Sequence, residues 1–243
     1  MFSGLLSAAR PDLNINIDAA KDENGAWYRR PGHDCGPAFN NSRSTISRDM
    51  VVGLLWHMWR NKDVKGATAL LKDLKARTYW LRGEGTAGEL LMTPALVNTL
   101  AEMVFRMGGT SYDTERAFPA ILDDSGEGFI AHLTVLHLLL RGEILGGLFE
   151  SDIKTLKSYM DKSPQNPLFV GAYHKYSDGN QSAMIDMLMD NSEWPNNSLP
   201  TTENHCSNWP VQRVYDEKNW GACSPTKEHT GAELVVIYSL IFN

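Results

Sequence analysis

Residues 47–77 read Ser-Arg-Asp-Met-Val-Val-Gly-Leu-Leu-Trp-His-Met-Trp-Arg-Asn-Lys-Asp-Val-Lys-Gly-Ala-Thr-Ala-Leu-Leu-Lys-Asp-Leu-Lys-Ala-Arg, and the two halves of this stretch carry different patterns. Between residues 50 and 59 only His57 is polar, so a helix there is buried on most of its sides. In the second half Val64, Ala67, Leu71 and Leu74 make a single stripe, the mark of an outer helix with one face turned inward. The link Asn61-Lys62-Asp63 is short enough to force an antiparallel pair. The spacing therefore predicts helices at 47–61 and 63–77, one inner and one outer, with Ser47 available to cap the first.

The same unit recurs along the chain, with helices expected at 93–107, 128–141, 151–161, 165–177, 180–190 and 231–243. Thr93-Pro94 supplies a start signal and Gly108-Gly109 a stop. In residues 129–140 only His132, Thr134 and His137 are polar, which predicts a second inner helix, and both histidines read best as satisfied core groups. Strands are few or absent. The expected fold is all-α: repeated antiparallel helix hairpins in one domain spanning 1–243. Two stretches break the rhythm. Residues 1–46 read as an extended N-terminal loop segment, and residues 191–230 hold four Pro, three Trp and six Asn. Loops that long in a packed domain are usually functional.

Composition narrows the function. Twenty-three Lys and Arg against 29 Asp and Glu give a net charge of −6, which leaves the whole chain without a footprint for nucleic acid or anionic lipid. The densest apolar run, 133–140, is interrupted by His137 and falls well short of the ~20 residues a bilayer span needs, so the sequence predicts a soluble chain with no membrane partner. The first ten residues lack a basic stretch before their apolar run and meet Pro11 early, a poor secretory signal. Compartment stays open, because an exported chain whose leader had been removed would read the same. Cys35, Cys206 and Cys223 fit free thiols or one Cys206–Cys223 bridge. His33, Cys35, His205, Cys206, Cys223 and His229 are ligand types without zinc-site spacing, so neither a metal nor a cofactor is expected. Dinucleotide, P-loop and α/β-hydrolase motifs are absent from the sequence.

The chemistry concentrates where the first inner helix begins. Asp49 falls in its first turn, where the partial positive charge of the helix end favours a carboxylate. Gly53 follows one turn on and Trp56 soon after, suggesting open space over the acid with an aromatic floor. A ring beside a carboxylate suits a sugar, whose C–H face packs on the ring while its hydroxyls bond the acid. The plain alternative is that Asp49 complements the helix dipole and Gly53 admits a neighbouring helix. Upstream, Arg29, Arg30, His33, Asp34 and Arg43 join Arg48 in locally reversing the global charge, which welcomes an anionic sugar or phosphate; a solvated loop is the alternative. The second long loop offers Trp194, His205, Trp209, Arg213 and Trp220, then His229 and Glu233. Thr230 and Glu233 also make a capping box for the last helix.

The helix hairpins, the Ser47-Arg48-Asp49 entry, the aromatic-rich loop and the closing His229-Thr230-Gly231-Ala232-Glu233-Leu234 segment together resemble the α/α-toroid carbohydrate-active enzymes. About eight helices in place of twelve make the expected toroid incomplete. The resemblance implies cleavage of an oligo- or polysaccharide, with anionic glycans among the candidate substrates. A glycoside hydrolase needs two carboxyl groups, ~6.5–9.5 Å apart for inversion or ~5–5.5 Å for retention. Asp49 would be the ionised member and Asp34 or Glu233 the acid, with Arg48, His33, Trp56, His205, Trp209, Arg213 and Trp220 binding substrate. A polysaccharide lyase acting on a uronate would instead use Arg48 or Arg213 on the substrate carboxylate and His205 or His229 as base. A helical module that binds glycan or protein without turnover is the third reading. Oligomeric state is open.

Overall fold

The inner helix expected at 47–61 is α2, Arg48–Arg60, in a computed structural model of the chain. The residues described are 2–23, 27–28, 31, 46–81, 90–110, 112–118, 129–162, 164, 166–180, 182–189 and 238–242. The chain divides into two units, Met1–Leu122 and Asp123–Asn243, where the sequence suggested one domain. The described residues are all-α apart from one two-stranded hairpin.

In the first unit Val51, Val52, Leu54, Leu55, Trp56 and Met58 of α2 are all buried, as an apolar helix with one polar residue must be. Its partner is a helix the sequence did not announce, α1, Phe2–Ala9. The two backbones touch where a Cβ on Gly4 would collide with the Gly53 carbonyl. The Ser7 hydroxyl donates to His57 Nδ1 at 2.8 Å, and Asn61 Nδ2 approaches the same nitrogen at 3.2 Å. Burial holds His57 below the ordinary histidine range against the pull of Asp18 and Asp63. Ser47 stands at the N-cap of α2 with extended backbone, yet its side chain makes no capping bond, contrary to the expected cap. Asp63 does cap α3, Val64–Ala76, accepting from the Gly66 amide at 2.9 Å. Thr93 caps α4, Pro94–Arg106, and Gly108 follows it at φ +80°, as the start and stop signals predicted. Between these helices β1, Trp80–Leu81, pairs antiparallel with β2, Leu90–Leu91, and α5, Asp113–Arg116, follows α4.

The second unit is built on α6, Phe129–Leu145, which is buried through most of its length and runs past the expected end at 141. Within it Gly142 makes room for Tyr176, whose ring a Cβ there would meet. Around it lie α7, Glu150–Lys162, α8, Pro167–Tyr176, and α9, Ser182–Met189. Gly171 lets Met184 and Ile241 close on α8, and residues 238–242 are helical, within the span expected at 231–243.

His132 is a satisfied core histidine, as read from sequence. It accepts from Asn166 Nδ2 at 2.8 Å, while the Asn166 oxygen caps α8 through the Leu168 and Phe169 amides. Asn166→Ala removes a cap and strips a buried nitrogen of its donor. The combined cost is about 2–3 kcal/mol, read as amide exchange across α8 accelerating at least tenfold.

Candidate functional site

Where α3 ends, the chain must turn sharply to begin the hairpin. Thr78 and Tyr79 both adopt positive φ, 53° and 68°, a conformation that costs a non-glycine residue about 1 kcal/mol or more. Three contacts hold the turn. The Tyr79 amide donates to the Leu74 carbonyl at 2.6 Å, its ring meets Phe118 edge-on at 5.2 Å, and its hydroxyl donates to Glu115 Oε1 at 2.9 Å. Lys75 Nζ reaches the same oxygen at 2.9 Å. Glu115 is 0% exposed, and its other oxygen has no partner among the described residues. Burial pushes this carboxyl upward, but the bonds from Lys75 and Tyr79 outweigh it and hold the group below the usual carboxylate range. Burial, together with the same Glu115 bond, raises the Tyr79 phenol.

The hairpin this turn launches presents an apolar face to solvent. Trp80 and Leu91 are register partners, and because the Met92 amide bonds the Tyr79 carbonyl at 2.9 Å, they form a non-hydrogen-bonded pair. In such a pair the side chains lie close on one face while both carbonyls point outward. Trp80 is 39% exposed and Leu91 43%. A guanidinium meets each outward carbonyl. Arg48 donates to Leu91 through Nε at 3.3 Å and Nη2 at 3.2 Å, and Arg77 Nε donates to Trp80 at 3.4 Å. Arg48 is the first residue of α2, so the start of the inner helix, the turn bearing Asp49 and the hairpin face are brought together.

The expected site residues fare differently. Arg48 is exposed and takes the position just given. Asp49 lies in the first turn of α2, with its side chain outside the described residues. Trp56 is 0% exposed, which corrects its reading as a platform for substrate, and the open space expected over Gly53 is filled by α1 through Gly4. The physical reason is that an apolar helix beginning at 48 takes a second helix along its glycine. His33, Asp34, His205, Trp209, Arg213, Trp220, His229 and Glu233 lie outside the described residues, as do the three cysteines and the candidate zinc ligands. Among the described residues no cluster of three or more His, Cys, Asp or Glu could hold a metal. No described helix is long and apolar enough to cross a membrane.

Sequence reasoning passed over Trp80, Arg77 and Leu91. The signal was present: Trp80-Leu81 and Leu90-Leu91 bracket Arg-Gly-Glu-Gly-Thr-Ala-Gly-Glu at 82–89, two apolar pairs around a glycine-rich link, which is how a hairpin reads. Compared with models of protein families, with curated proteins and with solved structures, the chain matches none.

Proposed function

We propose that this chain is a carbohydrate-active enzyme of the α/α-toroid kind that cleaves a polysaccharide, a glycoside hydrolase working through paired carboxylates. The observation that supports it is the exposed Trp80–Leu91 face, edged by Arg48 and Arg77 at the start of the helix that carries Asp49. Aromatic rings take the C–H face of a sugar, and guanidinium groups take its oxygens. Asp49, in the first turn of α2, is the candidate base that activates water, and Asp34 is the candidate acid on the same stretch of chain. The two guanidinium groups also favour a second reading, a lyase in which Arg48 neutralises a uronate carboxylate before proton abstraction at C5.

Incubation with a panel of neutral and acidic polysaccharides tests both. New reducing ends without ultraviolet absorbance support hydrolysis, whereas an unsaturated uronate absorbance supports elimination. Asp49→Ala should lower hydrolysis about a hundredfold or more. Full turnover by a folded Asp49→Ala protein would remove the catalytic assignment, and binding without any product from the wild type would leave a glycan-binding module.

A further inference from the structure

The outward face of α3 carries Lys65, Ala69, Lys72 and Ala76, all exposed, while Ala67, Leu70, Leu71 and Leu74 are buried on the opposite side. Spacing by four, three and four keeps the exposed residues in line, a straight stripe about 16 Å long. Neither lysine has an acid within reach along the helix. The positions three and four away from Lys65 hold Asn61, Lys62, Thr68 and Ala69, and those around Lys72 hold Thr68, Ala69, Lys75 and Ala76. Asp73 adjoins Lys72 in sequence and so does not share its face. Among the described residues no acid pairs with Lys62, Lys65 or Lys72. Lys62, just ahead of the helix, holds its ammonium 4.0 Å over the Trp59 ring. Lys72 and Lys75 are like charges one turn apart, which costs a helix stability; Glu115 answers Lys75 and leaves Lys72 uncompensated. On α7 the lysines are neutralised, Lys154 by Glu150 at 2.7 Å and Lys157 by Asp161 at 2.6 Å. A chain of net charge −6 thus keeps a row of bare ammonium groups on one exposed helix face.

The floor between the charges decides what fits there. Ala69 and Ala76 offer only methyl groups, so a second helix can approach to about 8 Å between axes, and the spacing of the stripe is that of a helix–helix seam. Lys65 and Lys72 are one heptad apart, about 10 Å along the axis, the interval at which acids recur on every seventh residue of a facing helix. A bilayer takes up bulky apolar side chains, and the leucines of α3 face the core. Phosphate is best clamped by forked guanidinium groups, and the stripe has none. We infer that the outer face of α3 docks an acidic helix of a partner protein, with Glu or Asp at every seventh residue and small residues between. The assignment stands apart from the carbohydrate reading.

Nuclear magnetic resonance titration of the ¹⁵N-labelled full chain with a synthetic helix of Glu-Ala-Gln-Ala-Ala-Gln-Ala repeats tests the inference, with a peptide carrying Lys in place of Glu as control. The Lys65, Ala69, Lys72 and Ala76 amides should shift and saturate together with the acidic peptide and stay still with the control. The double variant Lys65→Glu/Lys72→Glu should bind the acidic peptide at least about tenfold more weakly and should gain the control. Its urea midpoint should equal or exceed that of the wild type, because the change relieves like-charge repulsion. Ala69→Trp should weaken the acidic peptide at least about fivefold by holding the partner helix off. No saturable shift on α3 at millimolar acidic peptide would overturn the inference. So would an equal response to both peptides, unchanged affinity in the folded double variant, or a fall in its urea midpoint, which would make the lysines part of the fold. Binding of phosphatidylserine vesicles or duplex DNA through Lys65 and Lys72 in place of the peptide would overturn it as well.

Discussion

Lowering the pH from 7 to 4 should cost the second unit about 3 kcal/mol through His137 alone. The residue is 3% exposed on α6. Burial, with Arg141 one turn on adding its positive charge, pushes its pKa down to about 3 from the ordinary 6.5. The unfolded chain takes up this proton below about 6.5 and the folded chain only near 3, so between those values the unfolded state binds more protons. Stability is complete above the upper value and falls with pH until the lower one, a total of about 5 kcal/mol. Amide exchange within α6, corrected for its intrinsic pH dependence, should quicken about two-hundredfold from pH 7 to 4. His137→Leu should flatten that dependence whatever it does to stability at neutral pH. A variant as acid-sensitive as the wild type would remove His137 from the account.

Asp152→Ala should destabilise the same unit by about 3–5 kcal/mol, because it strands a cation. Asp152 Oδ2 accepts from Arg141 Nη1 at 2.7 Å with both side chains nearly excluded from water, and Arg141 Nε is buried without a partner among the described residues. Burial raises the Asp152 carboxyl above its ordinary range, against the pull of Arg141 and a backbone hydrogen bond at Phe149. Removing the acid leaves the guanidinium, among the described residues, the face of the Phe149 ring, 5.3 Å away. The double variant Arg141→Met/Asp152→Leu removes both charges and should recover most of the loss, since an apolar pair of similar volume does as well as a buried ion pair. Urea unfolding of the three proteins, followed by exchange in α6 and α7, separates the cases. A single variant within 1 kcal/mol of the wild type would show the pair to be solvated.

The helices were legible wherever apolar residues recur at helical spacing and a capping residue stands at the boundary. Thr93-Pro94 and Asp63 announce α4 and α3 in the sequence, and the uninterrupted apolar runs of α2 and α6 announce their burial. What escaped was structure that exists only through tertiary contact. Nothing in Phe2–Ala9 marks a helix ahead of Pro11; α1 is set by the fit of Gly4 against Gly53. Trp56 was read as a substrate platform and Trp80 was passed over for a similar reason. Both are tryptophans near polar residues in sequence, but one is buried in the core while the other leaves a left-handed turn that local propensity disfavours. That turn depends on Glu115, 36 residues away from Tyr79. The position of Arg48 was readable, since a residue opening a buried helix stays at its rim; its bond to a strand 43 residues on was not.

The most direct measurement is a nuclear magnetic resonance titration of the ¹⁵N-labelled chain with oligosaccharides cut from the same panel of neutral and acidic polysaccharides, following the seven indole N–H signals and the arginine Nε–H signals. The Trp80 indole and Arg48 Nε–H should shift together and saturate at one affinity, while buried Trp56 stays still. Saturable shifts confined to other tryptophans, with Trp80 and Arg48 unmoved, would place the glycan elsewhere and contradict the account.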